Sequence, residues 1–450
     1  MSKYPMIAAA VAAAVASGYA NAALPTFAQA NAPTASLVMS GSSAAAPAVT
    51  SFVESQVCGG SANTLLVTSS GGTKNFLAFS CFVPTQINDP NGTGAAIPAG
   101  SVVTVYYRTE GGSVVGALPI ATGRQIKRLN LADASCTGTG LTATCTVGGT
   151  TSIQGLNDSW TTAVVAATTQ LGVTDVEPGQ LTNADYPTNY ASTAFGSATV
   201  AQLQGLATVP LLQQVFGLAV NTSGQGFSAV NLTRESAANI LNGTYANWNK
   251  VPDATTGAPV AAASHAIVHV DREPGSGTRT SANIYFLGYQ CGSTTSIPAN
   301  PVNNFSTGDE LTLANSTPGA IAYASIDNFL SGANSTKFPN LVLASINGVT
   351  PSNLAAATGK YDYWFEATLV PNPAVAASSN TATLSNFLQV NLPDLATAPQ
   401  LPDVNVIPFA AADNNATVPL TNNGATGTLE VYVNPFSRNG NSCNVPAAFN

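Results

Sequence analysis

The sequence predicts an α/β protein of two lobes, and three observations carry that expectation. Short apolar, β-branched runs alternate with stretches of helical spacing, the pattern of strands covered by helices. The chain has 450 residues, too many for one ordinary core and enough for two. Near its middle, Val209 to Asn221 is a long apolar run suited to a buried strand that crosses from one lobe to the other.

Composition narrows the class. Hydrophobic residues make up 45% of the chain but charged ones only 8%, a balance that suits an exported protein rich in Ala, Thr, Asn, Ser and Gly. Aromatic and β-branched residues recur throughout, which separates this composition from that of a disordered chain. The formal charge is −8 with 13 Lys and Arg, so no basic field exists to hold nucleic acid or anionic lipid. Any anion must be caught by local dipoles and one or two arginines.

At the N-terminus, Met1-Ser2-Lys3 leads into an apolar run from Ile7 to Ala16 and then Ala20-Asn21-Ala22, a small-x-small cleavage pattern. Residues 1–22 are therefore expected to be a secretory signal peptide, with Ala28-Gln29-Ala30 as the second candidate cut. The apolar run is shorter than the roughly 20 residues of a membrane span. The next cysteine is Cys58, so no lipid-attachment cysteine follows the signal.

Six cysteines form an even set suited to an oxidising compartment. Cys136 and Cys145 flank a Gly/Thr-rich hairpin-like stretch and make the easiest local pair; Cys58 with Cys81 and Cys291 with Cys443 would complete the set. No Cys-x-x-Cys occurs, which argues against a zinc or redox centre.

Along the chain, Ser36 to Ser40 reads as a strand running into a small-residue loop, Gly41 to Val49, with a helix behind it. Thr64 to Thr68 and Phe76 to Ser80 read as strands, and residues 88–100 as a Gly/Pro/Asn loop. Val102 to Arg108 alternates as a strand and ends at the turn Gly111-Gly112-Ser113. Residues 129–153 carry the cysteine hairpin and look like an insertion. Gln170 to Pro178 is a strand-to-turn unit in which Asp175 either caps a helix or faces a ligand. Leu232 to Gly243 has helical spacing, with Thr233 as N-cap and a terminal Gly. Pro318 to Ala324 and Leu341 to Ile346 are further short strands.

The organising stretch is Ile267 to Arg279, an apolar run that breaks at Pro274-Gly275 and restarts as a helix. Ser276, Gly277 and Thr278 offer main-chain N–H groups and two hydroxyls at the positive end of a helix dipole, an anion cradle. Arg272 can fold its planar fork over the same spot and bind an oxyanion bidentately. The plainer reading is that Ser276 is only an N-cap and Gly-Ser-Gly a common turn.

These motifs, in this order, resemble the periplasmic phosphate-binding proteins of ABC transporters. Arg272-Glu273-Pro274-Gly275-Ser276-Gly277-Thr278 is similar to the family's Arg-x-x-Gly-Ser-Gly-Thr. The helix from Leu232 with Trp248-Asn249, and the strand from Pro318 to Tyr323, resemble the segments on either side of that motif. The likeness covers about residues 37–369, with insertions, and is strongest over 215–323. It implies a two-lobed periplasmic-binding-protein-like fold with crossover hinge strands and an insertion-rich first lobe.

Carried over residue by residue, the resemblance implies a ligand site built from Arg272, Ser276, Gly277 and Thr278, from Ser113 in the Gly112-Ser113 turn, and from Asp175 in Gly172-Val173-Thr174-Asp175. The family's first loop falls on Gly41 to Pro47. Where the family has a Thr and an aromatic there, this chain has Ala45 and Ala46, which leaves main-chain donors and Ser43. The family's acidic residue two after the arginine is replaced by Pro274, with Glu273 before it. Asp175 can only accept a hydrogen bond, so it favours an oxyanion that still carries a proton and selects phosphate or arsenate over sulfate; as a mere turn residue it would select nothing.

Catalytic motifs are scarce. His265 and His269 lie four apart on a strand and share a face, a metal pair by spacing but more usually ordinary strand residues. No Gly-x-Ser-x-Gly elbow, Ser-x-x-Lys or nucleotide loop occurs. Glu110, Asp133, Asp175, Glu177 and Asp271 form no readable pair, and Trp160, Trp248 and Trp364 suit core anchors. The expectation is an exported oxyanion-binding protein for phosphate uptake or scavenging and not an enzyme. It needs no cofactor, is a monomer, resides in the bacterial periplasm or outside the cell, and works with an ABC permease. Its first lobe would span 31–216 plus 368–450 and its second 217–367. The alternative is a secreted interaction or matrix protein that keeps the fold without a transport role.

Overall fold

The computed structural model describes residues 23–70, 75–147, 163–181, 198–298, 303–304, 306–331, 335–393 and 436–448. The expected signal peptide and Trp160 lie outside the described residues. Ala28-Gln29-Ala30, the second candidate cut, belongs to the helix α1 (Phe27–Asn31), closed by a reciprocal Thr26–Gln29 capping box. The Ala30 carbonyl accepts hydrogen bonds from Thr104 and Tyr106, so this segment is part of the folded wall.

The frame is a single mixed sheet. Its strands are β1 (Ala35–Gly41), β2 (Leu65–Ser70), β3 (Phe76–Phe82), β4 (Val102–Arg108), β5 (Cys136–Thr137), β6 (Thr142–Thr146), β7 (Leu171–Thr174), β8 (Val209–Asn221), β9 (Val268–His269), β10 (Ala320–Ser325), β11 (Leu341–Leu343) and β12 (Trp364–Pro371). They run in the order β9-β10-β8-β12-β7-β1-β4-β3-β2-β6-β5, with β11 beside β8. β1 lies parallel between β4 and β7, which brings three strand C-termini to one edge. Ligand loops gather at such edges in α/β folds.

β8 joins the two halves. Its first half pairs with β12, Val215 opposite Trp364, and its second half pairs with β10, Phe216 opposite Ser325. One strand thus serves both lobes, and its side chains from Leu211 onward are buried on both faces. That double burial explains why the run is so largely apolar, and it also encloses Gln213 and Gln214. Sheet order also corrects one detail of the sequence reading: β6 pairs in parallel with β2, so the cysteine hairpin extends the sheet edge as well as inserting into it. Local β5–β6 pairing is visible in sequence, but a parallel partner more than 70 positions upstream is not.

Helices cover the sheet. Those nearest the C-terminal edge are α2 (Ala46–Phe52), α3 (Ser113–Thr122), α4 (Arg234–Leu241), α5 (Gly277–Leu287) and α6 (Thr307–Ser316); α7 (Asn380–Asn391) lies later in the chain. Disulfides join Cys58 to Cys81, Cys136 to Cys145 and Cys291 to Cys443.

The last bond ties down residues 436–448. Arg438 stacks over Trp364 and Phe365, and its guanidinium donates to the carbonyls of Trp364, Asp362 and Asn444. Glu366 accepts from Ser437, Arg438 and Gly440, Glu177 accepts from Ser442, and Gln213 reaches the Phe436 carbonyl. This segment straddles the crossing of β8 and β12.

Candidate functional site

Arg272 ends a two-residue strand that pairs with Asn303–Asn304, and that pairing brings the start of α6 under its side chain. The guanidinium is buried, and each of its three nitrogens donates. Nε donates to the Asn304 carbonyl at 3.2 Å, Nη1 to Thr307 Oγ1 at 2.8 Å and Nη2 to Ser43 Oγ at 3.3 Å. Behind it, Asp271 accepts the Arg272 amide at 2.8 Å, pairs with Arg279 at 2.8 Å and accepts a hydrogen bond from the Tyr323 hydroxyl. Asp271, Arg279 and Tyr323 thus fix the backbone that aims Arg272.

Past Pro274-Gly275 the chain turns into α5. Ser276 is its N-cap, accepting the Arg279 amide at 3.3 Å, so the capping role is real. It does not use the hydroxyl proton, which stays free for a ligand. Gly277 opens the helix against the opposite wall: a Cβ there would stand 2.1 Å from Ser113 Oγ and 2.8 Å from Asp175 Cβ. Only glycine lets the two walls approach this closely.

The facing wall comes from three strand ends. After β1, Ser42 donates its hydroxyl to Asp175 and accepts the Ala45 amide at 2.9 Å, so the Ala45 donor is spent inside the loop. Ala46 is the first residue of α2. Ser43 meets Thr307 as well as Arg272, accepting the Thr307 amide at 3.2 Å. After β4, the buried Ser113 starts α3, and its Oγ accepts the Asp175 amide at 2.9 Å. After β7, Asp175 receives Ser42 on one oxygen and Thr278 Oγ1 on the other at 3.3 Å. A main-chain bond, Val114 N–H to Gly275 carbonyl at 3.0 Å, closes the walls together.

Of the nine expected ligand residues, Ser43, Ser113, Asp175, Arg272, Ser276, Gly277 and Thr278 meet where α3, α5 and α6 begin, while the Ala45 amide is bonded to Ser42 and Ala46, half-buried, opens α2. α6 and Ser42 were not anticipated. The signal for α6 was in the sequence: Ser306-Thr307-Gly308-Asp309 has capping spacing, and Ser306 does accept the Asp309 amide at 3.1 Å.

Charge in the site is tightly confined. Burial raises the Asp175 carboxyl above the usual range, against hydrogen bonds from Ser42 and Thr278 and the Arg272 charge, which favour its ionised form. Burial raises Glu273 much further; Arg272 opposes that rise, while Glu110 and Asp309 reinforce it. Among the described residues no group of three or more His, Cys, Asp or Glu side chains could hold a metal ion. His269 instead packs its ring on Tyr323, and Trp248 and Trp364 are core residues.

Known proteins give a family match. A profile for the PBP superfamily domain matches residues 134–390. No curated protein matches the chain. Among solved structures, a Clostridium perfringens protein with bound phosphate, provisionally assigned as a phosphate ABC transporter substrate-binding protein, is 13% identical at a TM-score of 0.45, covering 83% of this chain and 99% of that one. A phosphate-binding protein from Stenotrophomonas maltophilia is 13% identical at a TM-score of 0.40, covering 80% and 84%. An ABC-type phosphate transport receptor from Vibrio cholerae is 19% identical at 0.33, covering 58% and 85%.

Proposed function

The chain belongs to the PBP superfamily, and from that premise we propose that it is an exported oxyanion-binding protein whose ligand is inorganic phosphate, held between two lobes for uptake or scavenging. The observation that carries this reading is the Arg272 guanidinium, 1% exposed, which touches Thr307 on its own side of the cleft and Ser43 on the other. A buried cation with hydroxyl and helix-terminal donors around it is an oxyanion site.

Asp175 supports phosphate over sulfate. Its oxygens lie among donors but can themselves only accept, so a bound oxyanion must bring a proton or face repulsion. The ligand set is Ser43, Ser113, Asp175, Arg272, Ser276, Gly277 and Thr278, with Thr307 added to it; of the expected loop residues, Ala45 and Ala46 shape the wall, since the Ala45 amide is bonded to Ser42. Because these groups are buried, entry needs the lobes 31–216 plus 368–450 and 217–367 to part about the β8–β12 crossing. The protein acts as a monomeric carrier in the periplasm or outside the cell, serves an ABC permease, and binds without chemical turnover. No helix among the described residues is long and apolar enough to cross a membrane.

Isothermal titration of ligand-stripped protein with phosphate and with sulfate at neutral pH tests this. Tight one-to-one phosphate binding without sulfate heat is expected, with Asp175→Asn narrowing the gap between the anions. Absence of heat with either anion would overturn the reading in favour of a secreted interaction protein.

A further inference from the structure

One buried carboxyl group beside the site has no role in the scheme above. Glu273 follows Arg272 directly and is 0% exposed. No hydrogen bond of good geometry reaches either of its oxygens among the described residues, and the Gly111 amide is its one weak main-chain donor. Arg272 Nη2 stands 3.9 Å from it, and that guanidinium is already committed to Ser43, Thr307 and Asn304.

The groups that face Glu273 come from both lobes. From the loop between β4 and α3 come the Gly111 amide and Glu110, the latter paired with Arg108 at 3.1 Å; from α6 comes Asp309. Ionised, Glu273 would join the Glu110 and Asp309 carboxylates against the two guanidiniums of Arg108 and Arg272, before any anion arrives, while the buried Glu310 also draws on Arg272. Asp175 adds a further carboxylate near the same arginine.

We propose that closure of this cleft on its ligand is coupled to uptake of a proton by Glu273, which the closing lobes press against the Glu110–Gly111 loop. The inference rests on the oxyanion-binding reading and deepens it. With the lobes apart, the Glu110 loop withdraws, water reaches Glu273 and its acidity returns toward the ordinary value of about 4.3. Glu273 is then more acidic in the open form than in the closed one. Closing takes up a proton that offsets the charge of the captured anion. Affinity consequently falls as pH rises above the open-state value, by up to about tenfold per pH unit; it is level below that value, where Glu273 is protonated in both forms, and levels off again where it is ionised in both.

Two readouts test this on the full mature chain. Phosphate titration calorimetry in buffers of different ionisation enthalpy counts protons bound on capture. Wild type is expected to take up as much as one proton more than Glu273→Gln, and the titration of phosphate itself cancels in that difference. Small-angle scattering of ligand-free protein gives the second readout. Wild type is expected to expand on going from acid to mildly alkaline pH while Glu273→Gln stays compact. Asp309→Asn, at a half-buried position, is expected to fall between the two and serves if Glu273→Gln does not fold. Equal proton counts and equal expansion for wild type and variants would overturn the proposal. If phosphate gives no heat with any protein, the ligand reading fails and scattering alone decides: expansion lost in the variants upholds proton-coupled closure, and unchanged expansion ends it.

Discussion

Arg272 donates to the hydroxyl of Ser43 across 229 residues of sequence, at 3.3 Å. The bond joins a side chain aimed by Asp271 and Tyr323 to a loop hung from the end of β1, so it exists only while the two walls are together. A ligand between them replaces or bridges this contact, and most of its binding energy should pass through the same guanidinium.

Replacing Arg272 by Ala is therefore expected to weaken phosphate binding by about 3–5 kcal/mol, roughly two to four orders of magnitude, as for loss of one partner in a buried charge pair. Titration calorimetry reads this directly. Near-normal affinity in the variant would remove Arg272 from the site.

Gly277→Ala should leave each lobe folded but prop the cleft open, since its Cβ would fall 2.1 Å from Ser113 Oγ. A larger radius of gyration and at least tenfold weaker phosphate binding are the expected outcomes. A compact, tight-binding variant would show that the walls do not meet there in solution.

Cys291→Ser with Cys443→Ser opens a loop of 152 residues. Chain entropy predicts a loss of stability of about 5 kcal/mol as an upper figure. Denaturant unfolding of the variant against the oxidised wild type measures it. A loss below about 1 kcal/mol would mean that Arg438 and Glu366 hold the tail segment unaided.

Asp327 sets a pH dependence of stability. Burial raises its carboxyl from 3.8 to about 6, with Ser325 and Lys337 opposing. The folded chain holds this proton to higher pH than the unfolded one. The contribution is thus complete below about pH 4 and is lost as pH rises through 6. Asp327→Asn should then match wild type in acid and exceed it by up to about 3 kcal/mol near pH 8. Thermal melts across that range check it, and parallel curves would contradict it.

Much of this arrangement was legible in the sequence because its signals are local. Val209–Asn221 read as one crossing strand from its long, largely apolar run, and Thr233 and Ser276 read as caps from the residues after them. The site residues were approached through glycine turns at strand ends and through the resemblance those turns support. What stayed hidden depends on partners distant in sequence. Thr307 joins the site because Asn303–Asn304 pairs with Asp271–Arg272, a two-residue ladder with no periodicity to reveal it. Ser42 and Ser43 look alike in a small-residue loop, and only the fold turns one to Asp175 and the other to Arg272.

The bond between Cys291 and Cys443 also orders events in time. Cys58 and Cys81 are 23 residues apart and Cys136 and Cys145 only 9, so each pair can close as soon as its short segment reaches an oxidising compartment. Cys291 must wait for a partner made 152 residues later. Until then its thiol is exposed to wrong partners, and residues 436–448 lack the covalent tie that holds them beside β8 and β12. The clamp is therefore finished last, after both walls of its cleft have been made.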